Sequence, residues 1–205
     1  TFTTNLTAGS QTVCLNTAAT TLTVAAAAGN TYQWYSNATN SNTGGTLISG
    51  ATSGTFTPPT NVAGTTYYYA VITNTTTGCT ATSNVRGVIV LPELAITTQP
   101  DSTPQNLCVN STGPTLTVTA TGATTYQWSY SNLATGGTIT AVAGATSATY
   151  TIPTTAAFAT RYYFVTVSNG TCSVASSQRT PVTVNANPTF TTNPAASTQT
   201  VCFNT

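Results

Sequence analysis

Apolar and polar positions alternate along this chain over short stretches, and each stretch ends at turn-forming residues. Leu22 and Val24 fall on one side of the segment 20–28, and Tyr32 and Trp34 alternate against Gln33 and Tyr35. Short segments follow at 47–48 and 55–57, then a longer run over 66–73 and a last one over 85–91. A period of two places successive side chains on opposite faces of a strand. Thr, Val, Tyr and Ile suit that pleated, half-buried surface because of their branched or flat side chains. Gly29-Asn30, Gly44-Gly45, Pro58-Pro59 and Gly78 mark turns between the segments. The apolar run 25–28 is too short for a helix and meets Gly29. About seven short strands in some 94 residues predict an all-β sandwich.

The pattern occurs twice. Cys14, Cys108 and Cys202 stand 94 residues apart, inside the words QTVCLNT, QNLCVNS and QTVCFNT. The word TYQW at 31–34 returns at 125–128, and GATSGTF at 50–56 returns as GATSATY at 144–150. Cys79 and Cys172 are 93 apart, so one net residue is lost between the copies. TFTTN opens the chain and recurs at 189–193. The expected organisation is a repeat over 1–91, a second over 92–187 and the first strand of a third over 188–205. Short Pro-containing connectors between the repeats restrict the angle between them, so an array of this kind should be a semi-stiff rod with nearest-neighbour contacts.

Composition narrows the chemistry. Only Arg86, Arg161, Arg179, Glu93 and Asp101 carry side-chain charge, which is 2% of the chain against about 25% in ordinary domains. There is no Lys, His or Met, while Thr makes up 54 of the 205 residues. General acid–base constellations and paired-carboxylate chemistry lack their groups, so no catalytic residue is expected. Metal sites lack ligands, and no cofactor is expected. A net charge of +1 supplies no basic patch for nucleic acid. With 40% apolar residues and so little net charge the chain is not of the disordered class. Its apolar runs, such as 24–28, fall far short of the roughly 20 residues of a membrane span. What remains is a scaffold, or a binding surface of hydroxyls, amides and aromatics.

Leu22, Trp34 and Tyr69-x-Val71 in the first repeat, and Leu116, Trp128 and Tyr163-x-Val165 in the second, resemble the core of immunoglobulin domains. There a second-strand residue, a third-strand Trp and the residue two after a Tyr pack together. The cysteines depart from that pattern: Leu22 and Val71 stand where a variable domain has its disulfide. The displaced Cys14 and Cys79, with TYQW and the late Gly78-Cys79-Thr80, resemble the immunoglobulin-like repeats of large cell-surface proteins in the Bacteroidetes. That family includes type 9 secretion substrates and the filamentous adhesins of gliding flavobacteria. The resemblance implies tandem immunoglobulin-like β-sandwiches in an extracellular, cell-surface setting. It implies the bridges Cys14–Cys79 and Cys108–Cys172, one per repeat, with Cys202 left unpaired because its partner would lie beyond Thr205. Such bridges require an oxidising compartment.

Other features admit two readings each. Trp34 and Trp128 are core residues or sugar-stacking platforms, with Tyr35 and Tyr130 the better candidates for exposed aromatic contact. The triplets Tyr67-Tyr68-Tyr69 and Tyr162-Tyr163-Phe164 are cross-strand packing or an adhesive stripe. Arg86 and Arg179 correspond across the repeats and hold either a loop carbonyl or a neighbouring unit. Asp101-Ser102-Thr103 resembles the short O-glycosylation pattern of the Bacteroidetes, with Ser102 as acceptor. The function expected is a stalk or filament segment of a large secreted adhesin, for gliding or surface attachment. Its partners would be neighbouring repeats, surface polysaccharide or other filament components. The alternatives are a glycan-binding module and an accessory array on an extracellular enzyme.

Overall fold

The computed structural model describes residues 1–177 and 179–192. Cys202 and most of the expected third repeat lie outside the described residues. Every regular element among those described is a strand.

The first unit contains β1 (Phe2–Thr4), β2 (Ser10–Cys14), β3 (Leu22–Thr23), β4 (Ala25–Ala26) and β5 (Asn30–Asn37). It continues with β6 (Thr46–Leu47), β7 (Thr55–Phe56), β8 (Gly64–Asn74), β9 (Thr80–Thr82) and β10 (Arg86–Leu91). The second unit contains β11 (Ala95–Thr98), β12 (Gln105–Cys108), β13 (Thr115–Thr117), β14 (Thr119–Thr121) and β15 (Thr125–Ser131). It closes with β16 (Ile139–Ala141), β17 (Thr149–Thr151), β18 (Phe158–Ser168), β19 (Ser173–Ala175) and β20 (Thr180–Asn185).

Each unit is a two-layer sandwich. One layer orders β2-β10-β8-β5-β6, and in the second unit β12-β20-β18-β15-β16. The facing layer consists of the paired β1-β4 and β3-β7, matched by β11-β14 and β13-β17. Of the ladders in the large layer only β2 with β10, and β12 with β20, are parallel. Strand β9 continues the line of β10 along β8, the break falling where buried Ser83 turns its hydroxyl onto the chain. Its Oγ accepts from the Ala70 N–H at 2.9 Å and donates to the Asn84 carbonyl at 2.8 Å.

The two tryptophans fill the space between layers. Trp34 and Trp128 are fully buried, with Leu22, Val24, Val88 and Val90 around the first and Leu116, Val118, Val182 and Val184 around the second. Burying the indole N–H unpaired would cost about 1–3 kcal/mol. Trp34 Nε1 donates to the Ser53 carbonyl at 2.8 Å, and Trp128 Nε1 to the Ser147 carbonyl at 2.9 Å. The preceding glutamines complete the arrangement. Gln33 Nε2 donates to the carbonyls of Trp34 and Ile48, and Gln127 Nε2 to those of Trp128 and Val142. The recurring TYQW word is therefore a core tryptophan with its loop clamp.

One register departs from expectation. On β8 it is Ala70 that pairs with Trp34, while Tyr69 pairs with Tyr35. Tyr68 and Ala70 pack in the Trp34 cluster, whereas Tyr69, itself buried, and half-buried Val71 alternate to the other side of the strand. In the second unit Trp128 pairs with Val165, and Tyr163 and Val165 do face the core. The physical reason is one extra residue in the second unit. It is absorbed by an irregularity in the pairing of β18 with β20 between Phe158 and Arg161. A one-residue shift exchanges the two faces of a strand. Tyr68, not Tyr69, is thus the counterpart of Tyr163. The turn after β18 is two residues shorter than the turn after β8, which leaves the net loss of one seen in the cysteine spacing.

Candidate functional site at the junction of the units

The feature of this chain with the most chemical content is where its cysteines lie. Because β2 runs parallel to β10 with Cys14 opposite Leu91, Cys14 sits at the end of the sandwich from which the chain departs for the second unit. Cys79 immediately precedes β9, in the turn at the opposite end. The stretch from 79 to 91 along β9 and β10 spans about 40 Å at about 3.3 Å per residue. A disulfide requires Cα atoms within about 7 Å. The same topology separates Cys108, paired with Asn185, from Cys172 in the turn before β19.

The expected bridges Cys14–Cys79 and Cys108–Cys172 are therefore absent. Instead Cys14 is bonded to Cys172, with Cα atoms 5.9 Å apart and a sequence separation of 158. The bridge ties the trailing end of the first sandwich to the leading end of the second. It lies beside the Pro92-Glu93-Leu94 connector, in a cleft also lined by Leu15 and Val174. Cys79 and Cys108 are exposed free thiols.

The early cysteines are seated on a turn that both units share. Asn16 has a left-handed backbone, φ 59°, and its N–H donates to the Thr60 carbonyl at 2.8 Å. Asn110 repeats this with φ 65° and a 2.9 Å bond to the Thr154 carbonyl. Asn tolerates that conformation better than most residues, which accounts for the Cys-x-Asn of the recurring words. The late cysteines are held by Asn74 and Asn169. The N–H of Asn74 donates to the Cys79 carbonyl at 2.9 Å, and that of Asn169 to the Cys172 carbonyl at 3.1 Å. Asn74 Oδ1 accepts from the N–H groups of Thr76 and Thr77, and Asn169 Oδ1 from those of Thr171 and Cys172. The sequence reading took Asn74 and Asn169 only as Asn-x-Thr positions expected from the Thr content and missed this seating role, although their recurrence before each late cysteine was a usable signal.

The aromatic candidates do not form a repeated surface. Tyr35 stacks on Tyr69 with ring centroids 5.1 Å apart on the outer face of the first unit, and the Tyr69 hydroxyl accepts from the Gly45 N–H at 3.0 Å. The second unit has Ser129 at the position of Tyr35. Tyr130 packs against the core, 5.6 Å from Tyr163, with the Arg161 guanidinium 4.3 Å over its ring. Burial pushes the phenols of Tyr68, Tyr150 and Tyr163 above their ordinary range. Arg86 Nη1 donates to the Ala8 carbonyl at 3.2 Å, whereas Arg179 Nη1 donates to Ser131 Oγ at 2.8 Å and stacks over Phe164. Both arginines thus serve their own unit. Ser102 is exposed beside Asp101, whose Oδ1 accepts from the N–H and hydroxyl of Thr103 and is held below the usual carboxylate range by those bonds. Among the described residues no group of His, Cys, Asp or Glu is placed to hold a metal ion.

A sequence model for the domain of unknown function DUF8696 matches residues 3–92 and again residues 98–186. The chain belongs to that family. Its two DUF8696 copies coincide with the two sandwiches. No curated protein matches the chain. Among solved structures it is similar to a three-domain immunoglobulin segment of titin, at 12% identity and TM-score 0.46, covering 92% of this chain and 65% of that one. A structure of the four N-terminal immunoglobulin domains of a Dscam1 isoform is similar at 17% identity and TM-score 0.40, covering 90% and 45%. Extracellular domains 3–5 of Drosophila OTK are similar at 14% identity and TM-score 0.34, covering 90% and 65%. The chain thus spans less than two thirds of each of these structures.

Proposed function

We propose that this tandem is a stalk segment of an extracellular, cell-surface adhesin, in which the repeats set reach and stiffness and carry no catalysis. The observation that carries this reading is the Cys14–Cys172 bridge, which ties two sandwiches across their connector. Two covalent links at one junction restrict bending in a way that a single short linker does not. A disulfide also fits an oxidising compartment. The near-absence of charge supports the reading further: contacts made by hydroxyl, amide and apolar groups change little with salt. Many weak contacts along an array add up to avidity.

The resemblance of the repeated words narrows the setting to the Bacteroidetes, with export by type 9 secretion and a giant gliding adhesin of the SprB type as the parent. Surface polysaccharide or other filament components are the external partners of that reading. Ser102 is its O-glycan acceptor, and intact mass in hexose steps that vanishes in Ser102→Ala checks that part. The overall reading is tested on cells that make the parent protein. Antibody raised against this chain should label intact cells, external protease should remove the label, and bound antibody should reduce attachment. Label that appears only after lysis would rule the surface role out.

A further inference from the structure

Both halves of the inter-unit bridge are present in both units, yet one junction joins only one of each. Cys108 ends its strand opposite Asn185 just as Cys14 ends its strand opposite Leu91. Its Cys-x-Asn turn has the same left-handed asparagine and the same hydrogen bond to a threonine carbonyl. Cys79, like Cys172, has its carbonyl bonded by the N–H of the asparagine that opens its turn, although that turn is two residues longer. The neighbour differs too. Cys172, against the first unit, is 8% exposed, while Cys79 and Cys108 are exposed. They lie at the two outer ends of the pair of sandwiches, Cys79 leading and Cys108 trailing.

We infer that Cys79 and Cys108 are the two halves of further inter-unit staples, each meeting another copy of this repeat docked end to end. Cys108 bonds the late cysteine of a unit that follows, and Cys79 bonds the early cysteine of a unit that precedes. Every unit then takes part in two bridges, one to each neighbour, and has none within itself. Each bond forms by thiol–disulfide exchange with a low-molecular-weight disulfide. Two thiols lose two protons and two electrons, one S–S bond forms, and the oxidant leaves as two thiols. The inference stands on the junction geometry alone and does not need the adhesin reading.

The test is a four-unit tandem in which residues 1–188 are fused to a complete second copy, residues 1–205. Since TFTTN at 189–193 repeats the opening of the chain, the fusion keeps the connecting sequence unchanged. The tandem has four cysteines from the first copy and five from the second. After refolding in a glutathione redox buffer, blocking of free thiols and proteolysis without reduction, the expected new peptide joins Cys108 of the first copy to Cys79 of the second. Three thiols then label before reduction: Cys79 of the first copy, and Cys108 and Cys202 of the second. Cys108→Ser in the first copy should release Cys79 of the second and leave Cys14–Cys172 intact in both. Five labelled thiols with both Cys14–Cys172 bridges formed would overturn the inference. So would Cys14–Cys79 or Cys108–Cys172 bridges inside a unit.

Discussion

Cys14 and Cys79 occupy opposite ends of one sandwich, separated by the line of strands β9 and β10. Cys14 instead meets Cys172 of the next unit. Peptide mapping without reduction should therefore yield a Cys14–Cys172 peptide, with Cys79 and Cys108 alkylated beforehand. The chain-entropy estimate for closing a loop of this size is about 5 kcal/mol, within a measured range of roughly 0–5. Cys14→Ser, Cys172→Ser and the double variant should lose equal stability in urea, since each removes the same bond. Cys79→Ser and Cys108→Ser in the two-unit chain should change it by no more than about 0.5 kcal/mol. Equal effects from all four substitutions would contradict the pairing.

Force applied to the two termini crosses the bridge and bypasses the chain between Cys14 and Cys172. The 158 residues of sequence separation, at about 3.5 Å each, correspond to roughly 550 Å of hidden contour length. Single-molecule stretching should show that length appear on reduction and not before. A smaller release, close to two loops of about 65 residues, would indicate bridges within the units.

The two units should respond differently to the same truncation on β8 and β18. Val165 is fully buried between the layers, and Val165→Ala should cost about 2–3 kcal/mol. Val71 is half-buried on the outer face, so Val71→Ala should cost less than about 1 kcal/mol. Chemical denaturation of the single variants decides this. Comparable losses would mean that Val71 shares the core position of Val165.

Stability should be nearly flat through neutral pH and fall in alkali. Burial raises the pKa of Tyr68, Tyr150 and Tyr163, so the folded state favours the neutral phenol. That contribution is fully present below the unfolded tyrosine value of about 10 and is lost as pH rises through the higher folded values. For Asp101 the sign is opposite. Its lowered pKa adds stability above the unfolded carboxylate value, and this is lost as pH falls through the folded one. Asp101 is fully exposed, so the acid limb should be shallow. Thermal melts from pH 2 to 11 test this, and a steep loss between pH 6 and 9 would contradict it.

Much of the fold was legible from local pattern. Leu22, Trp34, Leu116 and Trp128 could be placed between two layers because alternation is a property of neighbouring residues. The recurrence of TYQW aligned the units without any structure. The alignment failed on β8, where Val71 was expected inside but is half-buried, and where Tyr69 is buried as expected but opposite Tyr35 and not Trp34. A single residue absorbed by the irregularity in β18 changed the offset between units, and nothing in the local composition marks which side of that residue the register resumes.

By itself the sequence determined that this protein is a twofold all-β repeat with almost no charge to build a reactive site from. It also determined that each unit owns one early and one late cysteine. Which cysteines meet was decided only by the tertiary structure. Spacing along the chain measures contour, and 65 residues of contour can begin and end at one place or at opposite ends of a sandwich. The parallel pairing of β2 with β10 sends Cys14 away from its own Cys79, and the short connector brings Cys172 to meet it.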